Sequence, residues 1–145
     1  MLGRNSYSRE EFEHARSSLD TQVSAYADLV KRLSAKATDT KVESSLAAFE
    51  GLFFNNILLV LDRYFVHRIR SVAGKDGNPL NEVELICESL MNNNGIFRGN
   101  NVIRYIVEDS VVGLNIGDQI RLSVGEFERL SSAFFDELQR KFGSV

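Results

Sequence analysis

The stretch Leu52-Phe53-Phe54-Asn55-Asn56-Ile57-Leu58-Leu59-Val60-Leu61 decides the fold. Wound as a helix, it is apolar on nearly every side, and Tyr64 and Phe65 extend the pattern. Such a helix must be covered from several directions, so it is the central member of a bundle, a subunit interface, or both. The wider apolar run 46–69 is interrupted by Glu50, Asn55, Asn56, Asp62 and Arg63. A membrane-spanning helix needs about 20 predominantly apolar residues, so the run reads as a buried core helix over 41–72 and not as a span.

Outward from this helix the start signals repeat. Ser8-x-x-Glu11, Thr40-x-x-Glu43 and Ser123-x-x-Glu126 match the capping box, in which hydroxyl and carboxylate satisfy orphan amides reciprocally. Asn78-Pro79 adds an Asn cap with proline at the first helical position. The first helix, 9–37, carries Phe12, Leu19, Tyr26 and Leu33 seven apart, with Val23, Val30 and Ala37 as a second row, the seam of an antiparallel bundle helix. A third helix, 80–93, is expected to bury Val83, Ile86, Cys87, Leu90 and Met91, and a last one, 124–142, Phe127, Leu130, Phe134 and Leu138.

Between those two helices the period changes. Asn92-Asn93-Asn94-Gly95 ends a helix with residue types that tolerate the left-handed conformation. Residues 102–107 are β-branched and aromatic, and 119–122 alternate after Gly117-Asp118, which predicts a short β-hairpin-like insert. The fold class is therefore an all-α bundle of four main helices with that insert, in one domain over 1–145.

Composition narrows the function classes. At 145 residues, about 68–70 % of the unfolded surface can be buried, so no staple is needed. A net charge of −3 argues against a large phosphate-binding surface, although a local basic patch is allowed. The single cysteine, Cys87, forbids an internal disulfide and suits a reducing compartment, and residues 1–10 have no signal-peptide core, so a cytoplasmic protein is expected.

Few residue sets could carry chemistry. Glu11-x-x-His14 is half of a di-metal signature, but His67 is preceded at the matching offset by Tyr64, so neither a metal site nor a cofactor is expected. Cys87 lies on the apolar face of its helix, where a thiol is a small hydrophobe. Arg63, His67, Arg68 and Arg70 form a basic cluster. Arg63 and His67, one helical turn apart, could flank a phosphate, while cations at a helix end also complement its dipole. Phe53, Phe54, Tyr64, Phe65, Phe134 and Phe135 could line a carrier's apolar pocket, although such a set more often fills a core.

From 81 to 142 the order of features resembles the C-terminal half of the HEPN superfamily, small all-α proteins common in defence and toxin systems. There a helix carries Arg-Asn and, a few residues on, His-Asn-x-Gly, and Gly-Asp-x-Ile-x-Leu-Ser opens the last helix. Here the corresponding stretches are 87–96, ending in Asn92-Asn93-Asn94-Gly95-Ile96, and Gly117-Asp118-Gln119-Ile120-Arg121-Leu122-Ser123. The resemblance implies a bundle that pairs across this helix. It also implies metal-independent RNase chemistry, but the positions of the catalytic arginine and histidine are occupied by Cys87 and Asn92. Cysteine is no permanent cation, and an amide does not titrate.

The expectation is thus a non-catalytic module that self-associates or binds a protein partner. Asn92, Asn93, Asn94, Arg68 and Arg70 are expected at the interface. The rival readings are a divergent RNase using Arg63 and His67, with RNA as its partner, and an apolar carrier.

Overall fold

Capping sets where the helices begin. In the computed structural model, which describes residues 3–36 and 40–143, the Ser8 hydroxyl accepts from the Glu11 amide at 3.2 Å and the Glu11 carboxylate accepts from the Ser8 amide at 2.8 Å. This box opens α1, Arg9–Lys36. Thr40–Tyr64 is α2 and Arg70–Ala73 a single turn, α3. The Asn78 side chain accepts from the Leu80 and Asn81 amides and opens α4, Pro79–Asn92, with Pro79 first. Ser123 and Glu126 form the reciprocal box that opens α5, Val124–Phe142. Ala37 lies outside the described residues, as do the residues 37–39 against which a cap at Thr40 would be judged.

The bundle is built round α2, which touches α1, α4 and α5, while α4 packs along α5. Phe54, Leu58 and Leu61 on its inner side are fully buried. Phe12, Leu19 and Tyr26 form the α1 seam, and Phe127, Leu130, Phe134 and Leu138 the inner face of α5. Phe54 meets Phe127 at 5.3 Å between ring centres, and Phe65 meets Tyr7, Phe12, Phe134 and Phe135 within 6.1 Å. The phenylalanines proposed above as a carrier's lining therefore pack mainly on one another.

Three expectations need correction. First, α2 ends at Tyr64 and not near Val72. Beyond it the chain turns, because the N-terminal segment claims its backbone: the Arg4 amide donates to the His67 carbonyl at 2.6 Å and the Ile69 amide to the Arg4 carbonyl at 2.8 Å. The Phe65 carbonyl is taken by Arg68 (2.9 Å) and by the Tyr7 hydroxyl (3.2 Å).

Second, the hairpin does not form, and there is no strand among the described residues, only isolated bridges. Residues 119–122 pair instead with the end of α4 and with α2. The Ile120 amide donates to the Gly95 carbonyl. Buried Asn55 on α2 donates to the Ile120 carbonyl at 3.0 Å and accepts from the Leu122 amide at 3.1 Å, as a neighbouring strand would. The segment around Arg104 bridges to Asp76, its amide bonding the Lys75 carbonyl at 2.7 Å. Both candidate strands thus find other partners. The third correction concerns Met91, which is 67 % exposed. Val83, Ile86 and Cys87 are buried as expected, but Met91 falls just past the end of that stripe.

Residues 93–123 hold their place with a single 3-10 turn at Val107–Asp109. Glu82, 1 % exposed, reaches out from α4 and accepts from the Val111 and Val112 amides at 2.8 and 3.1 Å. Buried backbone polar groups must be paired, and here side chains of the core helices replace the missing ladder.

Candidate functional site: the groove between α2 and α4

An open groove of about 580 Å³ runs between the end of α2 and the outer face of α4. From the α2 side come Leu59, Asp62 and Arg63, and from the following turn Val66 and Arg68. From α4 come Glu84, Cys87, Glu88, Met91 and Asn92, and Arg70 stands at the start of α3. These are the residues that the turn after Tyr64 and the length of α4 bring side by side.

Two of the three arginines are structural. Arg68 has a side chain only 3 % exposed, pairs with Asp62 at 2.8 Å, and donates to the Phe65 and Leu80 carbonyls at 2.9 and 3.2 Å. Its guanidinium lies 5.3 Å from the centre of the Phe134 ring. A charge so deeply placed is tolerated because it is paired and hydrogen-bonded. Arg70 bonds the Gly74 carbonyl, the Asn81 side chain and the Glu84 carboxylate, tying α3 to α4. The expected interface role of Arg68 therefore gives way to a structural one.

Arg63 is different. It is exposed at the groove, with no hydrogen bond or ion pair among the described residues. Across from it Glu88, also exposed, accepts only from the Asn100 amide group at 3.1 Å. His67 does not join them. It is exposed in the turn beyond α2 and does not line the groove. The single-turn spacing expected of Arg63 and His67 required a continuous helix, and the helix ends between them.

Of the three asparagines, Asn92 is exposed and lines the groove. Asn93 is the C-cap of α4, its amide bonding the Ser89 carbonyl and its side chain the Ile96 carbonyl at 2.7 Å. Asn94, at φ 53°, is the only non-glycine with positive φ among the described residues, and Gly95 follows at 76°. Two consecutive left-handed residues reverse the chain, so Asn93 and Asn94 shape the cap while Asn92 faces the groove.

Cys87 is 5 % exposed, and burial pushes its thiol well above the ordinary cysteine range. Its Sγ lies 3.8 Å from the Leu58 carbonyl. Reactivity needs the thiolate, the form that burial disfavours here. Glu11 spends its carboxylate on Arg4 and on the Ser8 amide, and the His14 ring stands edge-on to Tyr64 at 5.8 Å. Among the described residues no three His, Cys, Asp or Glu side chains gather as metal ligands.

No family model matches the chain. No curated protein and no solved structure matches it either.

Sequence reading missed Glu88 and Met91 as rim residues. The available signal was their offset from the Val83–Ile86–Cys87–Leu90 stripe, which sets Met91 at its margin and turns Glu88 away from it.

Proposed function

We propose that this chain is a non-catalytic helical bundle that serves as an interaction module in the cytoplasm and pairs with a second copy of itself across the α2–α4 face. One observation carries the reading: a run of exposed apolar side chains along one side of α2 and into the groove. Leu52 is 56 % exposed, Val60 37 %, Val66 40 % and Met91 67 %. Their α2 members sit seven to eight residues apart with Leu59, which places them on one helical face. Large apolar side chains left exposed along one helical face mark association sites. By length and composition α2 would also pass for a membrane helix, but its inner side is spent on the core.

The HEPN-like order of features supports pairing of the same face. Cys87 and Asn92, at the positions where that family carries its catalytic arginine and histidine, offer neither a cation nor a titratable base.

Light scattering on the purified chain at tens of micromolar tests the reading. A mass twice that of the chain is expected, and a strictly monomeric mass overturns it. Incubation with total RNA tests the non-catalytic half. Intact RNA is expected, and cleavage that disappears in Arg63→Ala/His67→Ala would return the enzyme reading.

A further inference from the structure

We infer that Arg63 and Glu88 set the register of the self-association proposed above, each Arg63 meeting the partner's Glu88 across a two-fold axis. This rests on that reading and goes further, naming the polar contacts that make the face recognise its own copy.

Charge in the groove is left unspent. The groove carries three arginines and three carboxylates, Asp62, Glu84 and Glu88. Arg68 takes Asp62, and Arg70 takes Glu84. Left over, among the described residues, are one cation without a partner, Arg63, and one carboxylate held only by a neutral amide, Glu88. They lie on the same groove, bordered by the apolar Leu59, Val66 and Met91. A two-fold interface brings a patch onto itself, so residue i meets residue j and j meets i. One leftover positive and one leftover negative charge then make two ion pairs, with no like charges opposed. The occupant that fits such a face is a second copy of this chain. A partner of one charge sign would leave either Arg63 or Glu88 opposed.

Charge exchange tests this separately from dimerisation itself. Arg63→Glu alone places two carboxylates opposite each other at both contacts. Glu88→Arg does the same with two cations. Like-charge juxtaposition at an interface is strongly unfavourable, so each variant should weaken self-association roughly a hundredfold. Both positions are exposed, and a helical circular dichroism spectrum like that of the parent verifies the fold. The decisive measurement is native mass spectrometry of the two variants mixed one to one. Every contact in a mixed pair is then glutamate against arginine, so heterodimers should form where neither variant pairs with itself, and the doubly exchanged chain should pair like the parent. Parent-like homodimers from both single variants, or no heterodimer from the mixture, overturn the inference and leave the dimer standing. A monomeric parent chain overturns both. If either charge exchange unfolds the chain, Arg63→Gln and Glu88→Gln replace them, and unchanged dimerisation in both overturns the inference.

Discussion

The two faces of α4 use the same kinds of residue in opposite ways. Toward the insert, Glu82 and Ser89 are buried, and each is hydrogen-bonded to backbone: Glu82 to two amides, Ser89 to the Arg98 amide. Toward the groove, Glu88, Met91 and Asn92 are exposed, and among the described residues only Glu88 of the three has a side-chain partner, a neutral one. The first face spends its polarity inside the chain, fixing a segment that has no sheet to hold it. The second keeps its polarity and an apolar margin for something else. Within one helix, whether a polar side chain has a partner in its own chain separates structural from associative roles better than residue type does.

The sharpest test sets Arg68 against Arg63, two cations of one groove. Arg68→Met removes the partner of Asp62 and two donors to buried carbonyls. Breaking a buried pair from one side costs about 3–5 kcal/mol. Denaturant unfolding should show a loss of that size, whereas Arg63→Met should move stability by no more than about 0.5 kcal/mol, as exposed substitutions do. If both variants unfold at the parent's midpoint, the division of the groove into structural and free cations is wrong.

A smaller effect is expected on the other face. Glu82→Ala leaves the Val111 and Val112 amides without their acceptor, and an unsatisfied group of this kind costs about 1–3 kcal/mol. Hydrogen exchange should localise it, with those two amides losing protection before the α2 core does. Glu88→Ala on the groove side should leave the same amides unchanged.

Much of this was legible before the fold was known. The caps at Ser8, Asn78 and Ser123 follow from side chains within three residues of the amides they serve, and local chemistry is what a sequence displays directly. The bundle followed from the all-round apolarity of the second helix. What could not be read were partners far apart in the chain. Asn55 bonding Ile120 spans 65 positions, and the Arg4 segment that ends α2 is just as remote. The β-branched 102–107 stretch was misread for the same reason: propensity describes a fit to a pleated surface, and no strand was free to offer one. The groove was half legible. Arg63 and Asn92 could be named and both line it, but His67 was assigned to the wrong side of a helix end that only tertiary contacts create.

The end of α4 offers a milder comparison, between neighbours. Gly95 at φ 76° and Asn94 at 53° are both left-handed. A Cβ on Gly95 would stand 2.8 Å from the Gln119 amide nitrogen, whose side chain bonds the Gly95 carbonyl. Gly95→Ala should cost about 1–2 kcal/mol, mainly for the backbone conformation, since the Gln119 tip can shift. Asn94→Gly should cost nothing measurable, because glycine adopts that conformation freely. Thermal unfolding of the two variants compares them directly, and equal shifts would mean that the double reversal is not what ends the helix.

The smallest effect separates two first-turn carboxylates, Glu11 of α1 and Glu82 of α4, by the sign of their pH dependence. Hydrogen bonds from Arg4 and from Ser8 hold the Glu11 carboxyl at about 2, below its ordinary 4.5. A group with a lowered folded pKa stabilises the fold above its unfolded pKa and loses that contribution as pH falls through the folded one. The gap in unfolding temperature between the parent chain and Glu11→Gln should therefore be constant near neutrality and close as pH falls from about 4.5 to about 2. Because the Arg4–Glu11 pair is well exposed, that gap should be small. Glu82 has the opposite shift: burial raises its pKa despite the two amides that favour the charged form. Its folded state holds a proton more tightly than the unfolded chain does, so the parent gains stability as Glu82 protonates. The gap between parent and Glu82→Ala should accordingly widen on acidification while the Glu11 gap narrows. Two gaps that close together would show that the Val111 and Val112 amides outweigh burial at Glu82, whereas a Glu82 gap that ignores pH would show a solvated carboxyl and an inner face of α4 no drier than its groove.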